Sequence, residues 1–335
     1  MSNKHILVVG GAGYIGSHMV NRLVGKGWQV TVLDDLSYGF KQAVGSAKLI
    51  IGDLGDNALL DKIFSNNQFS AVMHFASFIQ VGESVTAPDK YYDNNVARTI
   101  TLLNAMLRHK VDYFIFSSTA ATFGDPVYVP IDEKHPQLPI NPYGRTKLMV
   151  EHILADYKEA YGLHYGVLRY FNAAGASPQG HIGECHDPET HLIPLILQAA
   201  SKRRKSIKVF GTDYDTPDGS CLRDYIHVDD LADAHTQLAE YLWRGGEESA
   251  FNLGTGRGYS VLEVIDAAKR VTGKDILVDV EGRRSGDPSS LIADGSKARA
   301  ELGWKPERSD IDTIIADAWA WEQKLCNGHP FNSAE

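Results

Sequence analysis

The chain has 335 residues, 43% of them hydrophobic and 22% charged, with a formal net charge of -9. That is enough apolar material to bury the core of one large domain or two, and the negative charge argues against non-specific nucleic-acid binding. The three cysteines, Cys185, Cys221 and Cys326, are odd in number and widely spaced, which fits a reducing compartment and offers no cysteine-based metal pattern. No metal is expected, no apolar stretch reads as a membrane span or a leader, and the cytoplasm is the expected compartment.

Ile6–Val9 is a short apolar run that stops at glycines. Tyr14–Val24 follows with helical spacing at Ile15, Met19 and Leu23, ended by Gly25 and Gly27. Val30–Leu33, Lys48–Ile51 and Ala71–Phe75 are the next apolar runs, Thr99–Leu107 reads as a helix, and Tyr113–Ser117 as a fifth strand. Short apolar runs between helical patterns predict a parallel sheet covered on both faces, a Rossmann-type doubly wound α/β domain. Beyond Asn172 the texture changes. Ala173–Pro188 is rich in Gly, Pro and small residues, and Gly211–Gly219 is loop-like, while Val228–Leu242 and Val261–Val271 look helical. The expected division is residues 1–175 plus about 223–245 for the first domain. About 176–222 and 246–335 would form a smaller C-terminal α/β lobe facing the substrate. Cys326–Glu335 reads as a loosely held terminus.

Gly10, Gly13 and Gly16 follow the first strand and open the first helix. Three glycines at that spacing suit a tight turn, close backbone approach to a pyrophosphate, and close helix–strand contact. The free N–H groups of the helix start then favour phosphate. Asp34, ending the second run, suits an adenosine ribose diol; with Asp35 beside it and no adjacent arginine, NAD is favoured over NADP. Asp53 after the third run could accept from an adenine amino group, and on residue type alone a loop cap serves as well. Tyr143 and Lys147 are four apart, hence on one helix face. An ammonium nearby stabilises phenolate and lowers a Tyr pKa from about 10 toward working pH, making Tyr143 a candidate general base. Such a pair alone is more often a surface coincidence. Ser117–Thr119 end the fifth strand, where ligands bind in such sheets, and Thr119 could share a substrate oxygen with Tyr143 or only satisfy backbone groups.

These motifs, with His74–Ala76, Val81–Ser84, Tyr91–Asn95, Arg169–Asn172, Arg223–Val228, Phe251–Gly256, Asp294 and Leu302–Pro306, resemble the extended short-chain dehydrogenase/reductases over nearly the whole length. Within them the likeness is to the sugar-nucleotide 4-epimerases. The resemblance implies that Tyr143 is the base, Lys147 its activator and a nicotinamide-ribose ligand, and Thr119 its hydroxyl partner. It places Tyr14, Ile15, Leu54, Phe75, Ala76, Asn95, Ser117 and Tyr170 along NAD beside the glycines and aspartates. It gives the UDP-sugar Phe171, Asn172, Leu192, Arg223, Tyr225, Arg284 and Asp287; guanidinium forks match phosphate oxygens. The implied reaction is reversible C4 inversion of UDP-galactose and UDP-glucose through a transient 4-keto sugar, with tightly bound NAD, in galactose metabolism. Alternatives are C4 inversion of UDP-N-acetylhexosamines or UDP-pentoses, and a non-catalytic NAD-binding regulator. A 4,6-dehydratase would need Asp-Glu after Thr119, where this chain has Ala120 and Ala121. The likeness also implies a homodimer through a helix pair, one helix starting near Tyr143, although Val150, Ile153, Leu154 and Tyr157 read equally well as core. Departures from the pattern include Ile79 and Gln80, where many relatives carry a lysine, and His191, where some carry asparagine.

Overall fold

The apolar runs assemble into one seven-stranded parallel sheet in the computed structural model, which describes residues 4–247, 249–284 and 286–328. Of the tail expected at Cys326–Glu335, everything after Gly328 lies outside the described residues.

The first half of the chain alternates strand and helix. Its strands are β1 (His5–Val9), β2 (Gln29–Asp34), β3 (Lys48–Ile51), β4 (Ala71–His74), β5 (Tyr113–Thr119) and β6 (His164–Tyr170). Its helices are α1 (Tyr14–Gly25), α2 (Asn57–Ser65), α3 (Val81–Thr86), α4 (Pro88–Tyr91), α5 (Arg98–Arg108) and α6 (Pro142–Tyr161). The second half holds β7 (Asn172–Ala174), α7 (Leu192–Ala200), β8 (Ile207–Phe210), β9 (Leu222–Arg223), β10 (Tyr225–His227) and α8 (Val228–Trp243). It ends with β11 (Ser249–Leu253), β12 (Tyr259–Ser260), α9 (Val261–Thr272), β13 (Val278–Glu281), β14 (Ser290–Leu291) and α10 (Ile311–Cys326).

The sheet order is β11-β6-β5-β4-β1-β2-β3. Successive side chains of β1 point to opposite faces. Ile6 and Val8 join a core with Met19 and Leu23 of α1 and Leu231 and Leu238 of α8. Leu7 and Val9 join another with Leu60 of α2, Leu103 of α5 and Val150 and Leu154 of α6. Burial on both faces is why these strands are apolar runs rather than alternating ones. The segment that returns to the sheet runs further than Gly245. Phe251 and Leu253 of β11 are fully buried, and the strand pairs in register with β6.

A third core lies among α7, α9 and α10, where Ile196, Ile265 and Ile314 meet Val209 of β8. Around it sit three small sheets: β13 with β8, β10 with β7, and β12-β9-β14. Of the α6 stripe, Val150 and Leu154 are core, while Ile153 and Tyr157 are half-buried against it.

Candidate active site

The strand order reverses between β1 and β4, and the C-terminal ends of these strands form the crevice where ligands bind in open α/β sheets. Here the glycine loop meets the residues after β4. Gly10 has φ 78°, and a Cβ on it would lie 2.5 Å from the Ala76 nitrogen. A Cβ on Gly16 would lie 2.0 Å from the Gly10 oxygen. A Cβ on Gly13, by contrast, would meet only the Gly10 oxygen, at 3.6 Å. Gly10 and Gly16 are therefore held by the protein's own packing, whereas Gly13 keeps its outer side clear. Gly13 is the N-cap of α1 and uses no side-chain cap, so the helix start keeps N–H groups for an anion.

Asp34 is buried at the end of β2, and its carboxylate accepts from the Ala12 and Leu36 nitrogens, 2.9 Å each. Burial raises its pKa and those two N–H groups work against the rise. Each oxygen still has a lone pair for a diol. Asp35 is exposed and caps Ser37. Tyr14 donates to the Gly175 oxygen at 2.7 Å, Leu54 is buried, and the Phe75 ring packs on His235 at 4.8 Å. The open cradle at Gly13 and the acidic end of β2 fit a dinucleotide with a free ribose diol.

Two residues of the expected cofactor set are largely engaged within the protein. Asp53 accepts from Arg98 at 2.6 Å and from the Gly55 nitrogen at 2.6 Å, with its side chain half exposed. Asn95 is buried; it accepts from the Phe78 nitrogen at 2.9 Å and donates to the Phe78 oxygen and to Thr146. Asn95 thus braces the turn after β4.

The second group gathers at the ends of β5 and β6. Asn141 caps α6 by accepting from the Gly144 nitrogen at 2.8 Å, and Pro142 fits the first helical position. Tyr143 therefore stands in the first turn and Lys147 one turn on. A Cβ on Gly144 would lie 2.3 Å from the Ala121 oxygen, so this helix start presses directly on the chain after Thr119. Lys147 donates to Ser77 and to the Ser117 oxygen, 2.8 Å each. The Ser117 hydroxyl is hydrogen-bonded to the Tyr170 hydroxyl. Tyr143, Lys147, Thr119, Ser117 and Tyr170 are all buried.

Electrostatics here corrects the sequence expectation. Tyr143 is not lowered toward neutrality but pushed up to about 12, because burial disfavours the phenolate; the Thr119 hydroxyl beside it works the other way. Lys147 is pushed down to about 7 by burial, with Glu151 opposing. The shared helix face holds, but the ammonium is turned to Ser77 and Ser117, and desolvation dominates both groups.

A third group belongs to β9 and to the chain before β14. Arg223 donates to the Leu222 and Pro288 oxygens at 2.8 and 2.9 Å and lies 3.9 Å from Asp287. Arg284 pairs with Asp287 at 2.8 Å, and its guanidinium lies 5.2 Å from the Phe210 ring centre. Asp287 thus lies between two guanidiniums. Phe171 packs with Phe123 and Leu291, the Asn172 nitrogen donates to the Asp224 oxygen, Tyr225 is buried, and Leu192 is the first residue of α7.

Sequence reasoning missed two supports. Glu151 and Arg169 form a buried ion pair at 2.5 Å behind β5, joined by Ser118 and Gln137. Asp224, fully buried, accepts from the Thr255, Gly256 and Ala293 nitrogens and the Thr255 hydroxyl, and so ties β9 to the loop after β11. A charged residue in an apolar setting, Arg169 within β6 and Asp224 between β9 and β10, was the available signal for each.

Residues 6–254 match the NAD dependent epimerase/dehydratase family. The chain belongs to that family. Among curated relatives, it is 52% identical to a UDP-glucose 4-epimerase of Halalkalibacterium halodurans over 97% of both chains. Among solved structures, it is similar to a UDP-glucose 4-epimerase at 50% identity and TM-score 0.95, over 97% of this chain and 99% of that one. It is also similar to a UDP-glucose 4-epimerase from Brucella ovis in complex with NAD, at 49% identity and TM-score 0.92, covering 95% and 98%. This family member keeps Ala120 and Ala121 directly after Thr119, so the strand end offers no acid–base pair of carboxylates.

Proposed function

We propose that the chain interconverts UDP-galactose and UDP-glucose by inverting C4, using bound NAD. The observation that carries this reading is the buried trio of Tyr143, Thr119 and Lys147 at the strand ends, in a chain about half identical to UDP-glucose 4-epimerases along its whole length. When bound, NAD⁺ supplies the hydride acceptor and, once reduced, the donor, along with a positive charge that counters the burial of Tyr143. Tyr143 takes the proton of the C4 hydroxyl as the sugar becomes a 4-keto sugar, and returns it after the sugar has turned. Thr119 steadies the phenolate. Lys147, held by Ser77 and Ser117, would be the residue that binds the nicotinamide ribose. Arg223 and Arg284 grip the diphosphate, so that the sugar can rotate without leaving. No net oxidation occurs, and no added reductant is consumed. Catalysis rests on positioning and on proton transfer by a tuned base.

The large-sheet part would hold NAD through Gly10–Gly16, Asp34 and Asp53, and the second lobe would close over UDP. A homodimer through α5 and α6 suits the exposed Met149 and Tyr161 beside the half-buried Ile153 and Tyr157. Among the described residues no helix is long and apolar enough to cross a membrane, and a cytoplasmic, galactose-metabolising role fits the UDP-sugar chemistry.

The reading is tested by supplying UDP-galactose or UDP-glucose with catalytic NAD. Both should converge on one mixture of the two sugars. Accumulation of NADH in step with a keto product would sink it. Thr119→Val should lower kcat by about 10- to 100-fold, since a hydrogen bond to a charged group is lost. It should also move the rising limb of the pH–rate profile to higher pH, because the phenolate loses support; an unmoved limb would count against Thr119. Gly13→Ala separates cofactor from fold. The backbone at Gly13 (φ -78°, ψ 179°) accepts a side chain and the space is free inside the protein. Unfolding of the NAD-free protein should be unchanged while NAD affinity falls at least about tenfold; unchanged affinity would mean the loop does not approach the pyrophosphate.

A further inference from the structure

Between β7 and α7 the chain runs Glu184-Cys-His186-Asp-Pro-Glu189-Thr-His191. Four of these side chains bring ligand atoms close together. One ligand atom each from Glu184, His186, Glu189 and His191 lie within 4.8 Å of one another. His186 Nδ1 is 3.3 Å from Glu184 Oε1 and 3.6 Å from Glu189 Oε2; His191 Nδ1 is 2.5 Å from Glu184 Oε1 and 3.5 Å from Glu189 Oε1. Ligands at the usual nitrogen and oxygen distances around a tetrahedral zinc ion stand about 3.3 Å apart. The His186 separations, to Glu184 Oε1 and to Glu189 Oε2, are close to that value, while the His191–Glu184 contact is shorter.

A second observation points the same way. Glu184 Oε1, His186 Nδ1 and His191 Nδ1 are buried and make no hydrogen bond, although each is close to the others. The Glu184 side chain is only 6% exposed. Such orphaned groups are costly unless something else satisfies them. Glu189 Oε1 is steadied by the Thr190 and His191 nitrogens at 2.7 and 2.9 Å, which leaves its other oxygen for the centre. Two buried carboxylates side by side also call for a positive charge between them.

We propose that Glu184, His186, Glu189 and His191 bind a divalent transition-metal ion, zinc by its two-nitrogen, two-oxygen ligand set. Four protein ligands make it a closed, structural site rather than a catalytic one. Its neighbours indicate what it fastens. The His186 ring meets the edge of Tyr14, 6.4 Å between centres, and Tyr14 belongs to the glycine loop. The Glu184 main-chain oxygen accepts from the Trp321 indole of α10 at 2.8 Å. His191 immediately precedes Leu192, where α7 begins. The ion would pin the segment entering α7 to the wall behind the cofactor loop and to α10. The competing state has two protonated rings: burial pushes both down, but Glu184 and Glu189 hold His186 up to about 9 and His191 up to about 10.

The test needs no turnover and so stands apart from the proposed reaction. Untagged full-length protein, prepared with zinc available and passed into metal-free buffer, should retain about one zinc per chain by mass spectrometry. Stripping with a chelator should lower the melting temperature, and re-adding Zn²⁺ should restore it. Co²⁺ added to the stripped protein should give the intense visible bands of a tetrahedral site. Glu184→Gln and His191→Ala should each cut retained zinc to about a tenth or less. If a variant fails to fold, the wild-type stripping and Co²⁺ arms decide alone. Stripped protein that takes up neither ion and melts unchanged would overturn the proposal in favour of the ion-paired cluster. Zinc retained equally by folded variants would overturn it too.

Discussion

Tyr143→Phe is expected to lower kcat for UDP-galactose by about 10³-fold or more while the purified protein keeps its NAD. The ring sits buried in the first turn of α6, so phenylalanine preserves its packing and removes only the hydroxyl. General acid–base groups contribute about 10²- to 10⁴-fold, and here one phenol serves both removal and return of the C4 proton. Burial pushes that phenol up to about 12 in the protein alone, with Thr119 as the opposing influence. Proton transfer therefore depends on charge brought into the cleft. The neighbouring Tyr170 is raised further still by its burial, with its hydroxyl tied to Ser117. Rates from NMR and NAD released on denaturation check both halves. A variant within tenfold of wild type would remove Tyr143 from the chemistry.

The second large effect concerns stability. Glu151→Ala should destabilise the protein by about 3–5 kcal/mol, the usual cost of leaving one buried charge without its partner. Glu151 Oε1 accepts from Ser118 at 2.6 Å and from Arg169 at 3.1 Å, and Oε2 from Gln137 and again from Arg169. Both side chains of the pair are 7% exposed. Removing the carboxylate strands a guanidinium between β6 and α6, close to Phe123. It also removes the group that holds Lys147 up against its burial, so activity should fall along with stability. Denaturant unfolding of the variant against wild type measures the first effect. Glu151→Gln, which keeps hydrogen bonds to Ser118 and Gln137, should lose less. Equal stability of wild type and Glu151→Ala would mean that Arg169 finds water or another partner.

The parallel sheet was legible because its strands are buried on both faces and read as apolar runs; β1 to β5 follow directly from Ile6–Val9 through Tyr113–Ser117. β6 was not, since its run contains Gly166 and a buried Arg169 whose charge is met only in three dimensions by Glu151. β7, β9, β10, β12 and β14 have two or three residues each, too few for any periodicity. The glycine loop and Asp34 could be read from strand–turn–helix order, and the meeting of Gly10 with Ala76 is the structural form of that reading. Helical spacing put Tyr143 and Lys147 on one face, yet it carries no information on desolvation, which reverses the expected direction for Tyr143. Nor could it reveal that Asn95 is committed to Phe78. The histidine–glutamate run after β7 carries no cysteine spacing to mark it, and its meaning depends on four side chains converging through a loop.

The most direct test of the oxidation-and-return account uses UDP-galactose carrying deuterium at C4. The protein should convert it to UDP-glucose in ordinary water with the deuterium still at C4, since the hydrogen leaves to the cofactor and returns to the opposite face without meeting solvent. UDP-glucose with a solvent hydrogen at C4, or no conversion even with NAD supplied, would contradict it.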